Sequence, residues 1–317
     1  MEKFSRIAYL WGMGLFFAFL ASLFASASNL CMRRSIDAGG SNKAFVLIQM
    51  SIACVVATLL GPVKANAYAC NAPILYLGLF SGVILAMLLY TIGRALLAGP
   101  AGLTFAILSA STVMPAIVMA TLFGAAFGFA YTVWHGLGSL LVLAGLFWAS
   151  SSLDGLTHRR KWILFVSAMF ALHVALLVIY QWRALLVTLP TSATSLFPSN
   201  AIQSQWFTPV MYLGAALVQF VFYLRTEARM PNVQEWLYGI GGGVTNSLCT
   251  IFLLQGTEVA SGLERIVLFP FFSIGILVLS NWWGQRLYRE TVNWRACQIC
   301  ALGLFIGTVD WTSLLKF

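Results

Sequence analysis

Charge is what this sequence has least of. Nine acidic and 18 basic residues share 317 positions, 9% of the chain, against about 25% in a soluble domain. With 60% hydrophobic residues and a mean hydropathy of +0.88, that deficit excludes a water-soluble globular protein and implies an integral membrane protein. Histidine is scarce too. His135, His158 and His173 lie in separate segments with no HxxxD-like or Asp-rich stretch beside them, so the convergent groups that an interfacial enzyme needs are lacking. No GxxxxGK[ST] occurs, and with it goes P-loop ATP hydrolysis. Of six cysteines only Cys70 sits in a connection, and the CQIC of Cys297 and Cys300 has no second pair. A zinc site is not expected, and the thiols read as small apolar fillers. Neither a metal nor a cofactor is implied. The formal charge of +9 does not point to nucleic acid, because the basic residues stand at the ends of apolar runs, where they set topology.

Those runs are long enough to cross a bilayer, at about 7–32, 44–61, 74–93, 101–123, 133–152, 162–182, 206–224, 236–255, 259–281 and 294–312. The first resembles a secretory signal, with Lys3, Arg6 and small residues at Ala25 and Ala27. Its apolar stretch is too long for a signal core and stops at Arg33 and Arg34, as a retained span does. The polar break Ser152–Lys161 divides the spans into two sets of five, residues 1–155 and 156–317. The connection Arg183–Gln205, with Pro190 and Pro198, reads as an ordered surface loop.

A shift of 160 residues puts Gly82 on Gly242, Gly102-Leu103 on Gly262-Leu263 and Gly124 on Gly284. Each half orders a Gly-rich third helix, a tight turn, a fourth helix, a glycine and a fifth helix. Five is odd, so equivalent helices run in opposite directions, as in transporters with inverted repeats. The expected fold is all-α integral membrane, ten transmembrane helices as two inverted five-helix repeats, multi-pass in the cell (inner) membrane.

The fourth and ninth spans carry GLTFAILSASTVMPAIVMATLFG and GLERIVLFPFFSIGILVLSNWWGQR. A small residue before the span, a mid-helix proline and then a glycine, in the family's pattern Gly-Glu with a basic residue, make the chain resemble the drug/metabolite transporter (DMT) superfamily, in its ten-helix EamA-type branch. The second half keeps Gly284-Gln285-Arg286, whereas the first departs from the pattern with Gly124-Ala125-Ala126. The resemblance implies secondary transport of small organic solutes without ATP. It also implies termini in the cytoplasm. The charge count opposes this: 12 of the 18 basic residues fall in the connections on the far side from the termini or, for Arg295, beside one, which places the termini outside.

Charged residues within a span mark functional positions by default, and two lie near the start of the ninth. Glu264 would neutralise a cationic group of the solute or carry a coupling proton; the alternative is an ion pair with Arg265 or another arginine. Arg265 points about 100° away along the helix and would meet a solute carboxylate or snorkel to the interface. Phe271 and Gly275 extend the ninth-helix stripe, and Thr104 and Ser111 form its counterpart in the fourth. Phe105 and Tyr90 are candidate aromatic walls. Asn246 belongs to the polar stripe of the eighth helix, whose GIGGG reads as close packing or as a flexible segment, and His173 sits near the centre of the sixth.

The expected function is an exporter or exchanger, not an enzyme. It moves a small amphoteric metabolite, such as an amino acid or an S-adenosylmethionine-like cofactor, through a central pocket by alternating access. The expected partners are the solute, the bilayer and a coupling proton or counter-solute, in a monomer or dimer. The alternative is a lipid-translocating or lipid-modifying membrane protein.

Overall fold

Helices satisfy their backbone groups within one segment, which apolar surroundings demand, and helix is the regular secondary structure of the described residues. The computed structural model describes residues 12–98, 104, 107–108, 110–124, 131–149, 159–188, 205–227, 229–289 and 294–308. Its helices are α1 (Met13–Asp37), α2 (Asn42–Thr58), α3 (Ala72–Ala98), α4 (Met114–Leu122), α5 (Val133–Ala149), α6 (Arg159–Thr188), α7 (Phe207–Thr226), α8 (Val233–Val259), α9 (Gly262–Tyr288) and α10 (Trp294–Thr308). No strand occurs among the described residues. Seven helices, α1–α3 and α6–α9, are long and apolar enough to cross a membrane, while α4, α5 and α10 are shorter among those residues. The chain is an all-α membrane protein.

Several boundaries move outward from their expected places. The first span was expected to stop at Met32, but α1 runs through Arg33 and Arg34 to Asp37, where Gly39 turns the chain at φ 79°. Both arginines are exposed, so their charge does not end the helix. Helix α6 likewise runs through Arg183 to Thr188. The residue expected to open a loop is therefore buried within a helix. Helix α2 ends in a widened turn, Leu59–Val63, around Pro62, whose ring removes a donor from the i→i−4 ladder. Pro270 does not interrupt α9, which is helical on both sides of it.

Helix α1 packs on α8 and α9, and α6 packs on α3 and α4. Outside them, α2 and α7 pair with each other and cover α8 and α3, while α5 pairs with α10. Apolar contact alone drives little association in lipid, so close approach of small residues matters more. A side chain at Gly243 would place its Cβ 2.8 Å from the Gln49 carbonyl of α2, and one at Gly239 would lie 2.7 Å from Ile48. The GIGGG stretch is a packing face.

Side chains also tie the turns together. Asn232 caps α8 by accepting from Glu235 N (2.8 Å), and Glu235 accepts in return from Asn232 N (2.7 Å). The buried Glu235 also accepts from Ser41 N (2.6 Å) and pairs with Arg229, joining the α1–α2 turn to the α7–α8 turn. Trp206, just before α7, donates its indole N–H to Ala67 O (2.9 Å) of the α2–α3 connection.

Candidate functional site

Only Ala260 and Ser261 separate α8 from α9, so the first turn of α9 lies against the end of α8. Glu264 occupies the third position of α9, 6% exposed. Its Oε2 accepts from Ser261 N at 2.8 Å. Its Oε1 accepts from Gly12 N at 3.0 Å and Leu15 N at 3.5 Å. One carboxylate thus serves two helix N-termini, α9 and α1, where unpaired N–H groups and aligned peptide dipoles favour negative charge. Of the readings open from sequence, this geometry adds one that residue type alone does not suggest: a cross-helix cap.

Arg265 turns the other way. Its Nε donates to Ala260 O at 3.1 Å, and its backbone carbonyl accepts from Gln181 Nε2 of α6 at 2.8 Å. On the same end of the molecule, Arg183 of α6 pairs with Glu258 of α8 at 2.6 Å. The Arg183 side chain is 8% exposed and that of Glu258 34%, and the guanidinium lies over the Phe207 ring. Sequence reading missed this pair. Each residue stands at the end of an apolar run, and only the packing of α6 on α8 reveals them as partners. Gln181, Ala184, Leu185, Thr257, Arg265 and Leu268 enclose a cavity of about 10 Å³ between α6, α8 and α9.

The other candidates fall into separate places. Thr104, fully buried, accepts from the indole N–H of Trp162 in the first turn of α6 at 3.0 Å. Trp162 is itself buried. Ser111 Oγ lies 2.5 Å from His173 Nδ1, and both side chains reach Leu108 O. The tight turn Ser111–Val113 ahead of Pro115 presents that carbonyl to side-chain donors. Asn246 Nδ2 donates to Tyr212 Oη at 3.1 Å, and the phenol meets Thr250 Oγ1 at 2.6 Å. Gly275 lies against Ser22 of α1, and Phe271 is half-buried at the edge of the main core. Tyr90 is 39% exposed with its ring against Phe222, on an outer surface and not on an interior wall. Phe105 lies outside the described residues. The charged pair, the Ser111–His173 contact and the Asn246–Tyr212–Thr250 group are thus three foci. Tyr212, which organises the last, was legible only as one more aromatic in an apolar run.

Comparison with known proteins bears on the fold. No family model matches the chain, and no curated protein does. A solved structure described only as "Crystal structure of protein" aligns with a TM-score of 0.70 over 95% of this chain and 98% of that one, at 14% identity. At that identity the likeness is one of fold.

Proposed function

We propose that the chain is a secondary transporter of small amphoteric organic metabolites, built from two inverted five-helix repeats, 1–155 and 156–317, that alternate access to a central pocket between the repeats. One observation carries the reading: the most extensive helix pairings are preserved when each helix is exchanged for the one five places away. The packing of α1 on α8 and α9 becomes that of α6 on α3 and α4, and α2 on α8 becomes α7 on α3. The α2–α7 and α5–α10 pairs map onto themselves. Turn contacts follow the same rule. The α1–α2 turn meets the α7–α8 turn through Ser41 and Glu235, and the α6–α7 segment meets the α2–α3 connection through Trp206. Glu264 reaches the start of α1, and Thr104, its counterpart under the 160-residue shift, meets Trp162 at the start of α6.

This is the architecture in which a solute site lies where repeats meet and two seams open in turn. The α1/α9 seam is closed at one end by Glu264, and the α4/α6 seam at the other by Thr104 and Trp162. Transport without a nucleotide motif agrees with the EamA-type resemblance of the fourth and ninth spans. The lipid alternative would use a groove of about 370 Å³ along α6, lined by Ile107, Trp162, Ile163, Val166, Ser167 and Phe170. None of these side chains carries a charge to set against that of a headgroup. The test is counterflow in proteoliposomes preloaded with a mixture of amino acids and S-adenosylmethionine. Saturable entry of one labelled component, absent from protein-free vesicles, is the expected result; entry no faster than the control for every component would reject the proposal.

A further inference from the structure

The extensive helix pairings have counterparts under the five-place exchange, but one smaller closure does not. Helices α1, α8, α6 and α3 follow one another in packing: α1 on α8, α8 on α6, and α6 on α3. Exchange turns the α6–α8 side into an α1–α3 side, and among the described residues α1 and α3 do not pack on each other. The unmatched side is made at the end of the molecule that holds the α8–α9 turn. There Arg183 of α6 meets Glu258 of α8 at 2.6 Å, each next in sequence to a residue, Ala184 and Thr257, that lines the small cavity between these helices. The two charges are mounted differently. Arg183 is held by its own side: its guanidinium lies over Phe207 of α7, 5.1 Å from the ring centre, and Tyr180 of α6 sets its ring edge-on against the same phenyl. Glu258 stands at the rim, its side chain 34% exposed against 8% for Arg183. Ala98, 160 residues before Glu258 and the last residue of α3, has no charge to offer in return.

We infer that Arg183 and Glu258 form the gate that shuts the central pocket at the α8–α9 end, and that this structure is the conformer closed at that end, with the α1–α3 closure at the opposite end unmade. The inference rests on the transport reading and deepens it. Inverted repeats exchange roles during the cycle, so a contact made in one half and missing from the other marks which end is shut. An ion pair suits a closure that must break. Its Coulomb gain is offset by desolvation, and both charges recover water when they part. Glu258, already at the rim, leaves with little net cost, while the Phe207 ring keeps Arg183 in place for the return. A structural tie would hold α6 to α8 throughout the cycle. A gate sets the balance between two conformers.

The test is distance measurement by pulsed electron paramagnetic resonance on the full-length protein in nanodiscs, in a variant lacking the native thiols. Spin labels go on exposed positions of α1 and α3 at both ends, through Phe16→Cys with Ala72→Cys and Ile36→Cys with Tyr90→Cys. Because α1 packs on α8 and α3 on α6, these pairs report the two mouths. Glu258→Lys, which sets two cations against each other, lengthens the first distance and shortens the second, shifting the conformer ratio by at least about tenfold. Glu258→Gln moves both distances in the same directions by less, and this neutral isostere at a part-exposed position decides the matter if Glu258→Lys fails to fold. Unchanged distances overturn the inference, and so does widening at both mouths together, which is what loss of a structural tie would give. Counterflow separates the gate from the transport reading. Saturable exchange with unmoved distances removes the gate alone. Reciprocal movement of the two mouths without exchange of any solute removes transport alone.

Discussion

A carboxylate near the buried end of a membrane helix is tolerable when its oxygens are filled, and at Glu264 three backbone N–H groups fill them. This makes Glu264 a hinge between α1 and α9 as well as a charge. Glu264→Gln sets an amide donor against at least one of those N–H groups, a loss of about 1–3 kcal/mol for a buried unmatched donor. The expected outcome is a protein that inserts and melts lower, with counterflow abolished. Melting curves and uptake on one preparation check both, and undiminished uptake rejects Glu264 as a binding or coupling residue. The residue types at this site were legible in the sequence, since a Glu-Arg pair inside an apolar run stands out on composition alone. Their partners were not. Gly12, Gln181 and Ala260 carry no signal in one dimension, because each contributes a backbone group or a neutral amide brought up by packing.

At the scale of helices, hydropathy located the spans but misjudged their ends. It averages over windows, whereas helices here run on into polar ends stopped by local chemistry, such as Gly39 beyond α1 or the Asn232–Glu235 reciprocal cap at α8. That cap is an N-x-x-E pattern readable without coordinates. The glycine stripe of α8 makes the sharper prediction, because Gly239 and Gly243 lie where α2 approaches most closely. Gly243→Leu must push Ile52 and the Gln49 carbonyl away, at about 1–3 kcal/mol for overpacking. A conformationally neutral change at an exposed position of the same helix, such as Leu237→Ala, should cost much less. Paired melting measurements check this, and a tolerated Gly243→Leu would show that α8 does not rest against α2 through this stripe.

The whole molecule carries two claims that its parts cannot settle. The first is sidedness. The described basic residues at the α1–α2, α3–α4, α5–α6, α7–α8 and α9–α10 ends, among them Arg34, Lys43, Arg94, Arg160, Arg225 and Arg286, are exposed. The positive-inside rule places that face in the cytoplasm. A cysteine at Arg160 should therefore resist an impermeant thiol reagent in intact cells, and outside labelling would reverse the assignment. The second is motion. If α1 separates from α9 and α6 from α4 in alternation, holding either seam shut must stop transport. Ser26 and Ser280 bring their hydroxyls within 3.4 Å across the first seam, and Ser111 meets His173 across the second. Cysteines replacing each pair, in a variant lacking the native thiols, put two thiols at each seam, and oxidation joins them wherever their Cβ atoms come within disulfide range. Oxidation of Ser26→Cys/Ser280→Cys, or of Ser111→Cys/His173→Cys, should abolish counterflow, and reduction should restore it. Loss at both seams is what two inverted repeats demand. Loss at one alone would leave a single moving helix pair, and the exchange symmetry of the packing would then be a relic of ancestry without a part in the transport cycle.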